Sequence, residues 1–102
     1  MKPSPQVPPL PREALPASMQ ASYDRALATR GDTTFVQVSG HAPELFAWYG
    51  EFYQKVFYGG RVPVAIKELV RLKLSTIHGC AFCNKGNRVD AVAAGLTPEQ
   101  ID

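Results

Sequence analysis

Cys80 and Cys83 stand three residues apart as a C-x-x-C, and Glu68 is the sole carboxylate between Arg61 and Val89. The chemically able groups therefore read Glu-x11-Cys-x2-Cys. On a helix, residues three apart share a face with Cα atoms ~5–6 Å from each other, within reach of a disulfide. A cysteine in the first helical turn meets unpaired amides and the positive end of the dipole, which stabilise a thiolate. Arg71, Lys73, Lys85 and Arg88 add positive charge nearby in the chain. Cys80 is the favoured nucleophile if exposed, and Cys83, deeper in the helix, is the resolving thiol. Residue order alone leaves open which of them meets a peroxide.

Thiolate attack on a peroxide or a disulfide requires a proton to be moved. Glu68, one helix earlier, is the nearby acid, and partial burial would fit it for proton transfer near neutral pH. The competing reading is a surface acid paired with Arg71 or Lys67. His78, two residues before Cys80, is a second candidate, weighed against a plain helix-end histidine near the negative end of the dipole. Asn87 shares a row with Cys80; it can hydrogen-bond a water but takes no proton at pH 7. His41 reads as a loop or capping residue. A zinc site would have Cys80, Cys83 and His78 as ligands, without a second C-x-x-C or an H-x3-H. Neither a metal nor a cofactor is expected.

These groups need a scaffold. A chain of 102 residues makes one domain. It can bury roughly 60–65% of the surface of its unfolded form. Apolar content of 45% and charged content of 20% are ordinary globular values. A net charge of +2 gives no argument for nucleic acid or membrane partners. No apolar run reaches the ~20 residues of a membrane span. The first residues are polar and proline-rich with no apolar export segment, which points to the cytoplasm and a reduced compartment.

Residues 1–16 carry Pro3, Pro5, Pro8, Pro9, Pro11 and Pro16, a density that predicts an extended arm, as a disordered tail or as a strap over a neighbouring surface. Residues 17–102 form the domain proper. A first helix is expected over 17–29, with Met19, Tyr23, Ala26 and Leu27 at helical spacing and Gly31 as its C′ residue. Thr33–Val38 is β-branched and apolar, but a lone strand has no partner; a loop or a first helical turn fits better. Pro43 and Glu44 start a helix over about 43–57 that stops at Gly59-Gly60. Its rings, Phe46, Trp48, Tyr49, Phe52, Tyr53, Phe57 and Tyr58, cover most of the circumference, which predicts oligomerisation, with an aromatic ligand pocket as the alternative. The next helix, about 63–78, has Ile66, Leu69, Val70, Leu74 and Ile77 as its apolar stripe and Glu68 at the stripe's edge. Gly79 breaks it, Cys80 opens a helix over about 80–94, and Gly95 closes that one. Thr97, Pro98 and Gln100 then form a fresh capping box. A helix starting at 98 and stopping at 102 is unstable alone, so either the chain continues in nature or this end is held by something else.

The pattern Glu-x11-Cys-x-x-Cys, the G-L-T-x-E-Q run at Gly95–Gln100, the H-A-P-E-L start at His41–Leu45 and the Y-G-G-R-V-P turn at Tyr58–Pro63 resemble the carboxymuconolactone decarboxylase superfamily. The cysteine pair resembles its alkylhydroperoxidase D-like branch. The resemblance covers about residues 40–102. It implies an all-α fold, assembly into trimers or hexamers, and thiol peroxidase or disulfide-reductase activity without metal or haem. It also implies that Cys80 and Cys83 cycle between dithiol and disulfide while Glu68 relays protons. The family histidine four residues after the second cysteine is Asn87 here, and Ala81 and Phe82 occupy the space between the cysteines, where another histidine often stands. The relay is incomplete unless water or His78 substitutes.

The leading expectation is thus an enzyme that reduces hydroperoxides and is reset by an external dithiol. The alternatives are a catalytically silent oligomeric module of the same fold and a lactone decarboxylase-type enzyme, a branch that does not depend on a C-x-x-C.

Overall fold

A computed structural model describes residues 6–102. Of the arm expected over residues 1–16, the first five lie outside the described residues. Every regular element of the described chain is a helix, with no strand among the described residues, and the chain divides into two compact units, one ending at Tyr49 and one spanning Gly50–Asp102.

In the first unit, α1 (Ala17–Arg30) follows Pro16 and ends at Gly31, whose φ of 68° lets its N–H reach the carbonyls of Ala26 and Leu27. Met19 and Ala26 face a core with Leu15 and Val36, packed by Leu10, Tyr23 and Phe46. Leu27, expected in that stripe, is exposed; it lies ~100° around the helix from Ala26, beyond the narrow face that packs. The β-branched run becomes α2 (Thr34–Ser39), because Asp32 accepts the Thr34 N–H at 2.8 Å and Val36 is drawn into the core. Local capping and burial outweigh strand propensity there.

The arm departs from a uniformly extended chain. Between Pro11 and Pro16, the proline-free Arg12–Ala14 forms one 3-10 turn and Leu15 is buried. Further upstream the arm is tied to α2: the Leu10 N–H donates to Gln37 O at 3.2 Å, and Gln37 Nε2 donates to Leu10 O at 2.9 Å. His41 holds the same segment, its Nε2–H donating to Pro8 O at 2.7 Å. Phe35, Leu45, Phe46, Trp48 and Tyr49 line an apolar cleft of about 330 Å³ with Ser39 and Ala42.

Helix α3 (Pro43–Phe52) passes into a π-type turn over Tyr53–Phe57. In the second unit, Lys67 Nζ donates to the carbonyls of Val56 (2.8 Å), Phe57 (2.8 Å) and Gly59 (2.6 Å). It satisfies the acceptors that a helix end leaves open. Gly59 is required: a Cβ there would sit 2.6 Å from the Lys55 carbonyl oxygen.

Helix α4 (Val64–Ile77) and α5 (Ala81–Ala93) form an antiparallel hairpin closed by α6 (Pro98–Ile101). Leu72, Ala91 and Leu96 make its core, with Ala65 and Ile101 packed against them. The face of α4 that packs is not the expected stripe. Glu68, Leu72 and Ser75 are buried, whereas Ile66, Leu69, Val70, Leu74 and Ile77 point outward, Ile77 at 65% exposure. The α5 face opposite carries Gly86, Asn87 and Ala91, small and polar groups that match α4's mixed row better than its branched one. The capping box at Thr97 forms in both directions, and Ile101 anchors the short last helix.

Candidate functional site

The turn between α4 and α5 places both cysteines. Gly79 adopts φ +66°, which reverses the chain within three residues of the end of α4. The Cys80 N–H donates to Ser75 O at 3.0 Å, fixing Cys80 as the N-cap of α5, one position ahead of the first turn expected for it. Its Sγ accepts the Cys83 N–H at 3.2 Å. Cys80 and Cys83 are joined as a disulfide with Cα atoms 5.3 Å apart. Both residues are half-buried.

Behind the sulfurs runs a polar chain that the sequence reading missed. Asn84 Nδ2 donates to Ser75 Oγ at 3.0 Å and reaches Thr76 Oγ1 at 3.4 Å; Ser75 Oγ donates to Leu72 O at 2.7 Å. Arg88 Nε donates to Asn84 Oδ1 at 3.0 Å, and Arg88 Nη1 pairs with Asp102 at 2.7 Å. The available signal was Ser75 lying five residues before Cys80, where its carbonyl can close the turn.

Glu68 is fully buried, deeper than the stripe-edge position expected for it, at 0% exposure. Arg71 grips it: Nη2 lies 2.7 Å from Oε1 and from Oε2, and Nε lies 3.1 Å from Oε2. The same guanidinium reaches Asp90 Oδ2 at 3.0 Å and stands 4.5 Å from the Phe57 ring centroid. Burial pulls the Arg71 guanidinium down, but the Glu68 hydrogen bond and charge, followed by Tyr53 and Asp90, leave it above its ordinary value. The partner read as a surface possibility is thus real but internal. Asp90 and Phe57 had no local signal, because the hairpin register brings Asp90 to Arg71.

The two polar centres sit at different levels. Ser75 marks the level of Cys80, and Glu68 lies seven positions earlier on α4, ~10 Å along the axis. Asn87 is buried on α5 between Asn84, at the level of Ser75, and Asp90, at the level of Arg71. His78 is the exposed C-cap of α4, its N–H bonded to Leu74 O at 3.0 Å. Among the described residues, no group of three or more His, Cys, Asp or Glu gathers as a metal site, and no helix is long and apolar enough to cross a membrane.

Residues 43–102, from the start of α3 through α6, match the sequence model of the carboxymuconolactone decarboxylase family. No curated protein and no solved structure matches the chain. The matched span is more than half of the chain and holds the whole α4–α5 hairpin with its cysteine pair, so this protein belongs to the carboxymuconolactone decarboxylase family.

Proposed function

We propose that the protein is a thiol-dependent peroxidase or disulfide oxidoreductase of the alkylhydroperoxidase D-like branch, working through the Cys80–Cys83 pair. The observation that carries this reading is the pair closed at the N-terminus of α5 with the Cys83 N–H directed at Cys80 Sγ. An amide donor at the helix start supports Cys80 as the thiolate nucleophile. The Cys80 thiolate attacks a hydroperoxide ROOH, the O–O bond breaks, and Cys80 becomes a sulfenic acid while RO⁻ takes a proton and leaves as ROH. The Cys83 thiol then attacks the sulfenic sulfur, expelling water and forming the disulfide. An external dithiol returns two electrons and two protons by exchange.

In this reading Glu68, held as an ion pair by Arg71, is the proton acceptor that the sulfurs reach through Asn87 and water. The exposed rings of α3 serve a homo-oligomer, trimer or hexamer, in a reduced compartment such as the cytoplasm. The test is peroxide-dependent disulfide formation: reduced protein given one equivalent of hydroperoxide should lose two thiols and two hydrogens of mass, with a Cys80–Cys83 peptide recovered. Cys80→Ser should abolish peroxide consumption; a lactone-processing enzyme would tolerate that change.

A second reading, a silent oligomeric module of the same fold, draws on Asn87 standing where a relay histidine is expected and on Glu68 being engaged by Arg71. Thiols left unchanged by peroxide would decide for it.

A further inference from the structure

Ser75 holds the cysteine turn at both ends. Its carbonyl accepts the Cys80 N–H at 3.0 Å, and its hydroxyl accepts Asn84 Nδ2 at 3.0 Å, Asn84 being the residue after Cys83. The hydroxyl is buried and anchored in turn to Leu72 O at 2.7 Å. Asn84 also closes the first turn of α5, its N–H donating to Cys80 O at 2.9 Å. One α4 side chain and one α5 side chain therefore fasten the segment that contains both sulfurs to the end of α4.

We infer that Ser75 and Asn84 are positioning residues that set the reduction potential of the Cys80–Cys83 pair, a role that deepens the dithiol reading above and rests on it. The effect is a difference between two states of the pair. In the oxidised state the S–S bond already holds the first turn of α5, so losing the Ser75–Asn84 bond releases little motion. In the dithiol state that turn has only its hydrogen bonds, and helix starts fray when their donors lose partners. The clamp keeps one thiol close to the other in the reduced protein and so favours the disulfide. Without it the reduced turn gains freedom and water contacts that the oxidised turn cannot use, and reduction becomes easier. The couple is disulfide plus two electrons and two protons to dithiol, with an external dithiol as donor and its own disulfide as product.

The test uses the full chain equilibrated in graded ratios of reduced to oxidised dithiothreitol, trapped by alkylation and read by mass. Asn84→Ala is the first variant, because Asn84 is half-exposed and Ala favours the helix. The ratio of reduced to oxidised protein at a fixed buffer should rise about fivefold, or ~20 mV in the two-electron potential. Ser75→Ala should shift it in the same direction, and the double variant should shift it no further than the larger single one, since both remove one bond. An unmoved potential in Asn84→Ala, or full additivity in the double variant, overturns the inference. Hydroperoxide oxidation is measured alongside on the same proteins. A potential that shifts while peroxide oxidises none of them leaves the clamp standing and removes the peroxidase reading. Peroxide oxidation of all of them with one common potential removes the clamp alone.

Discussion

Arg71 holds both oxygens of the buried Glu68 carboxylate from one turn further along α4, with Nη2 2.7 Å from each. The pair is internal, and the same guanidinium bridges to Asp90 on α5. A buried carboxylate left without its partner is costly: removing one member of such a pair destabilises by about 3–5 kcal/mol. Arg71→Ala should lower the stability read by urea unfolding by an amount at the low side of that range, since Arg71 itself keeps some solvent contact. Glu68→Gln added to Arg71→Ala should recover part of the loss, because it removes the stranded charge. A double variant no more stable than Arg71→Ala would show that Arg71 matters through its packing on Phe57 instead.

Asn87 is buried on α5 between the levels of the dithiol and of the ion cluster. An amide can orient a water there but carries no titratable proton. If proton movement limits thiol oxidation, Asn87→His should accelerate peroxide-dependent disulfide formation by at least about tenfold, below the ~10²–10⁴-fold that a positioned acid–base group supplies. His78→Asn, at the exposed helix end, should leave the rate unchanged. Stopped-flow measurement of single-turnover thiol loss separates the two. An unchanged rate in Asn87→His would mean that water or His78 already carries the proton.

Features encoded within one turn of chain were legible in the sequence. The capping box of Thr97 and Gln100 and the glycines at 31, 79 and 95 act through local backbone geometry, and they sit where their spacing places them. The all-helical class and the position of the cysteines at a helix start follow from the same local rules. Which face of α4 packs does not. Its branched row is the more hydrophobic, yet α5 offers Gly86, Asn87 and Ala91 to the row that carries Glu68 and Ser75. The pairings Ser75–Asn84 and Arg71–Asp90 depend on the register of the hairpin, which residue spacing within either helix does not specify.

Arg12 and Asp24 make an exposed two-point pair in the first unit, Nε to Oδ1 at 2.8 Å and Nη2 to Oδ2 at 2.7 Å. The Arg12 hydrogen bond holds the Asp24 carboxyl below its ordinary value. Because the folded value is the lower one, the pair's stabilisation is present above the unfolded carboxylate value of ~3.9 and fades as pH falls through the folded value. Carbon-13 titration should place the Asp24 midpoint below ~3.9, and Arg12→Gln should return it to that value. The effect on overall stability should be small, as for most solvent-exposed pairs. A midpoint unmoved by Arg12→Gln would mean that the pair does not persist in solution.

The outward row of α4 is apolar and open to solvent in the single chain. Ile66, Val70, Leu74 and Ile77 recur at helical spacing and are all about half exposed or more in the single chain. α3 and the turn after it add Leu45, Trp48, Phe52 and Val56, with Trp48 at 60% exposure. Exposed branched and aromatic side chains are stabilised when a partner removes them from water, at ~25 cal/mol per Å² of apolar surface. Light scattering should therefore find an assembly larger than a monomer, and the family resemblance implies a trimer or hexamer. Leu74→Glu together with Ile77→Glu should shift the protein toward monomer without unfolding it, because neither residue belongs to the Leu72–Ala91–Leu96 core. A wild-type monomer at micromolar concentration would refute assembly through these rows. A double variant that keeps its oligomer would move the interface from α4 to the rings of α3, where Trp48→Glu is the corresponding test.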